Sequence, residues 1–401
     1  MNRLSHFNPS IIRRIVLTLV ISFSCQMPIF ADENEDKLIA LANWAYTDYS
    51  HLFLTEYSMP QIGSGYLYTC FSNLNCIGFK DNKVDVLINN EVSTLGSIDE
   101  SIAMMEAATK PADGNCTIFP ADNPWNTDIS NLPVHKNSDI YITSIGLDGN
   151  VHPDFGTEWN GAPNGIPIID VQQHTPRRKI NFEFYEESDH ELYPFPNNPP
   201  IEGGPNGTGD RHIIMLDQKA CKLYEMFNAW PPNSEGNESP DHWQAGSGAI
   251  FNLRSNELRG EYKTSADAAG LPIFPGLVRY SEVLEQKEIT HALRFTVKKT
   301  QRAYIHPATH FASKSTDPNL PPMGLRVRLK ANFDITSFSE EVQVILRALK
   351  KYGMLLADNG GNWFISGVPD PRWNDKNLAQ LKNVPGSAFE AVDTGDLILP
   401  Q

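Results

Sequence analysis

The feature that most limits the fold of this chain is the density of proline and glycine in residues 192–209, LYPFPNNPPIEGGPNGTG. Both residues favour turns and interrupt helices, so this part of the chain cannot be built from long helices. Short runs rich in β-branched and aromatic residues surround it: KINFEFY, RHIIMLD, CKLYEMF, GAIFNLR, HALRFTV, RAYIH and LRVRLKANFDI. Such runs are typical of strands, and we expect β structure to dominate.

One amphipathic helix is predicted near the C-terminus, between Ser339 and Gly353. Its apolar face is formed by Val342, Ile345, Leu346, Leu349 and Tyr352. Gly353 suits the left-handed residue that ends many helices. The following run, MLLADNGGNWFISG, predicts two strands on either side of a turn at residues 359–361. We therefore expect a β-rich α+β fold, with a β-sandwich as one possible arrangement of the large region.

Residues 1–31 have the layout of a secretory signal peptide. Arg13 and Arg14 precede an apolar run from Ile15 to Phe23, and Ala31 precedes an acidic segment. An uncleaved anchor is an alternative, but the run is shorter than the ~20 residues that a membrane span needs. A lipoprotein attached through Cys25 is another, with a poor lead-in sequence. We expect a secreted or periplasmic protein with no transmembrane segment after cleavage.

Four of the five cysteines would remain after this cleavage. An even number in an exported chain favours two disulfides. Cys70 and Cys76 enclose a short polar loop and form a plausible local pair, which leaves Cys116 for Cys221. Metal binding by the four is the alternative, although they include no CxxC pair.

The composition argues against nucleic acid as a partner. The formal net charge is -15, and the basic residues occur only in short separated runs. Such a chain repels a phosphate backbone.

A small module is predicted over residues 37–98. Residues 37–57 have apolar positions at helical spacing, and GYLYTCF, CIGFK and VDVLI then predict a meander of about three strands. The Asn-Trp-Ala helix, the Gly-Tyr-x-Tyr sequence and the strand ending in Val-x-Val-Leu resemble a small module appended to many exported bacterial proteins. The resemblance implies no catalytic role. Residues 99–114 are expected to be a linker, and residues 115–401 to form the large β-rich domain.

From about residue 115 the chain resembles a family of functionally uncharacterised exported bacterial proteins. The resemblance is carried by NPWNTDIS, GDRHIIMLD, TSADAAGLPIFPGLVRY, HALRFTV, PPMGLRVRLKA, ALKKYGMLLADNG and PDPRWND. It implies export and transfers no activity.

The segment YIHPATHFAS raises the question of a metal site, because two histidines four residues apart can share one ion on a helix. Pro307 pushes His306 out of helical geometry, and the glutamate of an HExxH motif is absent. We therefore expect no metal at this pair, and no cofactor.

Strand-borne polar residues are the candidates for catalysis. Asp210 and His212 open one strand, His291 and Arg294 open another, and His310 and Asp358 lie at comparable positions. Such residues can converge on one face of a rigid sheet, although each could instead satisfy local groups. The other carboxylates noted are Asp154, Glu183, Glu186, Asp267, Asp370 and Asp375.

Tryptophans in loop-like sequence are candidate platforms for sugar rings, or else ordinary core anchors. They are Trp125, Trp159, Trp243, Trp363 and Trp373, of which all but Trp159 are the favoured substrate-binding residues. Paired carboxylates beside such platforms are typical of glycoside hydrolysis.

These observations predict a protein that binds or modifies extracellular glycan or cell-wall material. One alternative is a metal-dependent hydrolase that uses His212, His291 and His310, and another is a non-catalytic surface or adhesion protein. Whether the chain is an enzyme stays open at this point.

Overall fold

The computed structural model describes residues 116–172, 175–196, 198–239 and 242–399, together with the backbone of five strands between residues 61 and 97. The signal peptide at 1–31, the helix predicted at 37–57 and the linker at 99–114 lie outside the described residues. The chain divides into two compact units, one made of residues 1–115, 171–177 and 194–198 and the other of the remainder.

The first unit contains a five-stranded antiparallel meander. Its strands are β1 Gln61–Gly63, β2 Tyr66–Ser72, β3 Asn75–Lys80, β4 Lys83–Ile88 and β5 Glu91–Ser97. The predicted meander is confirmed, with two strands more than expected. The two missed strands carry weak signals, since β1 has three residues and β5 reads EVSTLGS. The register places Cys70 directly opposite Cys76.

After residue 115 the strands are short and numerous. In chain order they are β6 His152–Asp154, β7 Glu158–Trp159, β8 Ala162–Pro163, β9 Ile168–Asp170, β10 Arg177–Arg178, β11 Ile180–Phe182, β12 Tyr193–Pro194, β13 Ile213–Asp217, β14 Lys222–Phe227, β15 Trp243–Ala245, β16 Ser247–Asn252, β17 Leu293–Val297, β18 Arg326–Leu329, β19 Met354–Asn359, β20 Phe364–Ser366 and β21 Phe389–Ala391. The helices are α1 Ser138–Ile145, α2 Glu340–Lys351 and α3 Asp375–Leu378. The β-rich α+β class is thereby confirmed.

Two sheets of the second unit matter for function. One has four strands in the order β16-β14-β13-β9, and the other has six in the order β21-β18-β19-β17-β20-β6. The larger sheet is mixed, because β17 runs parallel to β19 but antiparallel to β20. Its central strands are almost entirely buried, which explains why their sequences, LRFTV and MLLADN, are mostly apolar.

The helix α2 forms as predicted, with Ser339 as its N-cap and with Val342, Ile345, Leu346 and Leu349 buried. Gly353 follows with φ of +63°, and a Cβ there would lie 2.3 Å from the Val327 carbonyl oxygen. Glycine is therefore required where the chain turns from the helix into β19.

The two strands predicted around residues 359–361 also form, but they do not pair with each other. β17 lies between β19 and β20. The Gly360 N–H donates to the Val297 carbonyl at 3.0 Å, so the turn passes over the end of β17. A local turn signal cannot reveal a strand that arrives from elsewhere in the chain.

Cys116 and Cys221 are joined by a disulfide, as expected from the even number of cysteines that remain after signal-peptide cleavage. Within the ranges that the structure describes, no helix has both the length and the apolar composition needed to cross a bilayer.

Candidate functional site

Arg294 is the centre of a buried polar cluster on β17. Its Nε and Nη2 atoms each donate to the Asp267 carboxylate at 3.1 Å, and its Nη1 donates to Ser366 Oγ at 2.6 Å. Burial opposes the charge of the guanidinium, but the attraction of Asp267 outweighs it and raises the pKa of Arg294. A buried bidentate pair of this kind holds a fixed positive charge in a fixed orientation.

The sheet register brings a second carboxylate to the same face. Asp154 lies directly opposite Ser366 in the parallel pair of β6 and β20. Phe295 lies opposite Ile365, so Arg294 and Ser366 are neighbours across β17 and β20. Residues opposite each other share one face of a sheet, and the three therefore form a cross-strand row.

Asp154 ends this row at an open position. Its side chain reaches solvent, yet its surroundings are confined enough that burial, followed by repulsion from Glu202, raises its pKa. A carboxyl group that is both accessible and reluctant to ionise is a candidate for proton transfer.

Asp358 approaches Arg294 from the other side, at a β-bulge in β19. Phe295 pairs with Leu356 and Thr296 with Asp358, which leaves Ala357 unpaired between them. The carbonyl of Ala357 instead accepts the Ala269 N–H at 3.0 Å. Bulges of this kind redirect side chains and are frequent beside active sites.

This redirection leaves one Asp358 oxygen 3.9 Å from Arg294 Nη2, with 23% of the Asp358 side chain exposed. Burial and the nearby charge of Asp267 raise the pKa of Asp358 to about 7, although Arg294 opposes the shift. Asp358 can therefore be protonated near neutral pH and still reach solvent.

His212 lies beneath the cluster with both ring nitrogens engaged. Nδ1 is 2.6 Å from Glu202 Oε2, and Nε2 is 3.1 Å from the Ala266 carbonyl oxygen. Burial disfavours the charged ring, but Glu202 outweighs that cost and raises the pKa of His212 to about 9. With two acceptors facing two N–H groups, the imidazolium is the form that satisfies every contact.

Glu225 on β14 holds the backbone that covers Arg294. Its carboxylate accepts the N–H groups of Ile273 and Phe274 at 2.8 to 3.0 Å. Burial raises the pKa of Glu225 to about 7. The turn that it holds ends at Gly276, where a Cβ would lie 2.9 Å from the Cβ of Arg294. We interpret Glu225 as a structural carboxylate that fixes this close approach.

Three of the six predicted catalytic residues belong to this cluster, and a fourth acts on it from outside. Arg294, Asp358 and His212 lie within it, and the exposed Asp210 acts on it through its charge, which helps to raise the pKa values of His212 and Asp154.

His291 is not part of the cluster around Arg294. Its Nδ1 is 2.8 Å from the Ala292 carbonyl oxygen, and its Nε2 is 3.1 Å from Glu282 Oε1 and 2.8 Å from Arg279 Nη2. It belongs to a buried ion-pair group beside a π-helical turn, Ser281–Gln286. His291 lies two residues before the start of β17, and this position does not put its side chain in the cluster around Arg294.

His310 braces the Asp267 loop without facing Arg294. Its Nδ1 lies 2.8 Å from the Ala268 carbonyl oxygen, and its backbone N–H donates to Ala269 at 3.1 Å. His306, in contrast, is exposed and contacts Glu261 at 2.8 Å. The peptide bond between His306 and Pro307 is cis. The two histidines of the HPATH segment therefore face different partners.

The predicted tryptophan platforms need correction. Trp125, Trp243, Trp363 and Trp373 are all buried, and three of them belong to the main hydrophobic core. A buried indole has no free face for a sugar ring, and these four side chains serve as core anchors. The turn-forming residues next to these tryptophans belong to tight turns that pack onto the core.

The described part of the chain contains no group of three or more His, Cys, Asp or Glu side chains arranged to hold a metal ion. His212, His291 and His310, which the metal-dependent alternative requires together, each contact a different set of partners.

The residues predicted to be catalytic do not include Glu202, Asp267, Ser366 or Asp154. Asp154 and Asp267 were visible only as two of many carboxylates, and Glu202 lies in the Pro/Gly-rich segment that predicted nothing but turns. The signal that would have found Asp267 is its place in a TSADAAG loop of small residues, which allows a buried carboxylate close to other backbone.

Comparisons of this chain with protein-family models, with curated protein sequences and with solved structures find no match.

Proposed function

We propose that this protein is an exported enzyme that hydrolyses glycosidic bonds in extracellular or cell-wall glycan, with Asp358 and Asp154 as its acid and base. The observation that carries the proposal is the pair of solvent-reaching carboxyl groups with raised pKa values on either side of the Asp267–Arg294 ion pair. Glycoside hydrolysis needs two such groups in different protonation states.

The chemistry follows from the two environments. Asp358, with a pKa of about 7, gives its proton to the glycosidic oxygen as the bond to the anomeric carbon breaks. Asp154, as a carboxylate, takes a proton from the water that attacks that carbon. One carboxyl has then lost a proton and the other has gained one, and exchange with solvent restores both.

The strand order indicates how far apart the two groups lie. β6 and β19 are separated by β20 and β17, which amounts to three interstrand steps of about 4.8 Å. Asp358 pairs with Thr296, two residues along β17 from the row of Arg294, Ser366 and Asp154, so the backbones of the two aspartates lie roughly 16 Å apart. Aspartate side chains do not close this gap to the roughly 5 Å of retaining glycosidases, so the arrangement favours an inverting mechanism, in which a water lies between carboxylate and sugar.

Arg294 and the groups behind it position these carboxyls. The guanidinium is fixed by Asp267 and Ser366 and keeps its charge beside Asp358. A fixed charge at this place favours the carboxylate that forms as Asp358 releases its proton. Export is part of the same proposal, and it is supported by the basic, apolar and acidic succession of residues 1–37.

The test is the release of reducing ends from a panel of purified bacterial cell-wall and plant polysaccharides. The wild-type chain and an Asp148→Asn control, which changes an exposed carboxylate, are expected to cleave at least one polymer equally. The double variant Asp154→Asn/Asp358→Asn is expected to cleave none. Binding of a glycan with no cleavage by any form would refute the enzyme and favour a non-catalytic surface protein.

A further inference from the structure

An exposed tryptophan lies on a hairpin that begins shortly after Asp154. Trp159 is 76% exposed, more than any other large apolar side chain that the structure describes. Single exposed apolar residues are common on protein surfaces and need no function. Two properties of Trp159, its rigid support and its position, distinguish it from such residues.

The support is a two-residue β-hairpin. Trp159 on β7 lies opposite Ala162 on β8, and Asn160 and Gly161 between them have φ of +52° and +82°. Positive φ at both central residues is the signature of a type I′ turn, the turn that best fits the twist of paired strands. The ring is thus carried by a short, well-defined element.

The hairpin is fixed at its base on both sides. The Gly156 N–H donates to the Asn164 carbonyl at 3.0 Å, and the Thr157 N–H donates to Asp375 Oδ1 at 3.0 Å. Ile166, just beyond β8, donates to the Gly367 carbonyl at 3.0 Å. Since Gly367 follows Ser366 directly, the hairpin is anchored to the strand that carries part of the site.

The hairpin also lies next to the segment that carries Glu202. A Cβ on Gly204 would lie 3.9 Å from the Cβ of Ala162. Four residues lie between Asp154 and Trp159, so the two are at most about 17 Å apart even along a fully extended chain. Trp159 therefore lies on the Asp154 side of the site, at a distance that an oligosaccharide bound there can span.

The charges around the site limit which sugar ring can lie there. Asp267 is matched by Arg294, and Glu202 is matched by His212. Asp154 and Asp358 both lie within the influence of Arg294, which is already paired with Asp267, and Asp210 adds a further negative charge that acts on Asp154. Asp358 is protonated in its acid role, so an acidic sugar would be repelled chiefly by the carboxylates of Asp154 and Asp210.

We propose that Trp159 is the platform of a sugar-binding subsite next to the Asp154–Asp358 pair, and that this subsite accepts rings without a carboxylate and rejects uronic acids. The indole offers a flat apolar face to the C–H groups of the ring and is held in place before the ligand arrives. This inference rests on the proposed function for its substrate class and extends it to specificity.

Two measurements test the subsite. Initial rates on a neutral polymer and on a polyuronate separate KM from kcat for wild type, Trp159→Ala and Trp159→Phe, with Tyr185→Ala as the matched control. Tyr185 is 56% exposed and stacks on His190. Acrylamide quenching of tryptophan fluorescence, with and without neutral oligosaccharide, reports binding independently of turnover, and the Trp159→Phe spectrum isolates the Trp159 contribution.

Trp159→Ala is expected to raise KM for the neutral polymer on the order of tenfold with kcat nearly unchanged, because the lost aromatic face contributes to binding and not to the chemical step. The KM of Trp159→Phe is expected to lie between those of wild type and Trp159→Ala, and the KM of Tyr185→Ala is expected to match wild type. Bound oligosaccharide is expected to protect Trp159 from the quencher. The polyuronate is expected to be cleaved poorly by every form.

An unchanged KM in Trp159→Ala would overturn the subsite while leaving the proposed hydrolase intact. Equal cleavage of the polyuronate would overturn the charge selectivity. Protection of Trp159 without turnover of any polymer would keep the subsite and refute the hydrolase, whereas neither protection nor turnover would refute both.

Discussion

The carboxylate of Asp267 and the guanidinium of Arg294 form a buried ion pair with two hydrogen bonds of 3.1 Å. Asp267 comes from a loop of small residues, and Arg294 from β17 of the six-stranded sheet. Their pairing fixes the loop onto the sheet and sets the charge beside Asp358 and Asp154. The same two side chains therefore stabilise the fold and influence the ionisation of the candidate carboxyl groups.

Asp267→Asn is expected to destabilise the protein by about 3 to 5 kcal/mol, because it leaves a buried guanidinium without a counterion. Urea unfolding of wild type and variant measures this change. The double variant Asp267→Leu/Arg294→Met is the control, since it removes both charges and is expected to recover much of the loss. A change below about 1 kcal/mol in the single variant would contradict the role given to the pair.

The stability that His212 contributes is expected to depend on pH. Its folded pKa of about 9 lies above the ordinary value of 6.5, so the folded state holds a proton that the unfolded state releases between these values. The contribution is therefore complete below pH 6.5 and is lost as the pH rises toward 9.

The measurement is the difference in unfolding free energy between wild type and His212→Gln from pH 6 to pH 9.5. We expect this difference to shrink as the pH rises. His306→Gln, which changes an exposed histidine, serves as the control and is expected to show a much smaller trend. A difference that is constant or grows over the same range would show that His212 is neutral in the folded protein.

Hydrolysis is expected to invert the anomeric configuration. Three interstrand steps separate the backbones of Asp154 and Asp358, which leaves room for a water between carboxylate and sugar. Proton NMR of the first product, recorded before mutarotation, reports the configuration directly. Retention would require the carboxyls to lie about 5 Å apart and would contradict the assigned pair.

Much of the fold could be predicted from local patterns. The helix α2 could be predicted because its apolar period and its terminal Gly353 are contained in one short stretch. The strands β13, β14 and β17 could be predicted because each is a short run rich in β-branched, aromatic and other apolar residues. The pairing of β17 between β19 and β20 was not, since strand order depends on contacts between distant segments.

The candidate site divides in the same way. Arg294, His212 and Asp358 stood out as polar residues at the ends of apolar runs, and such residues are placed by the strands themselves. Asp267 and Glu202 come from loops. The position of a loop side chain depends on tertiary packing, which leaves no hydrophobic periodicity in the sequence. The tryptophans misled because aromatic side chains in Pro/Gly-rich sequence can be buried as readily as exposed, as Trp363 and Trp159 show.

The pH profile of kcat/KM on a cleaved glycan, compared between wild type and Asp358→Asn, tests the assigned acid most directly. Because the proton of Asp358 is the one transferred, wild-type activity is expected to fall above pH about 7. Asp358→Asn is expected to lose roughly 10²- to 10⁴-fold in rate and to lose that dependence on pH. Wild-type activity in Asp358→Asn, with the fall above pH 7 intact, would contradict the account.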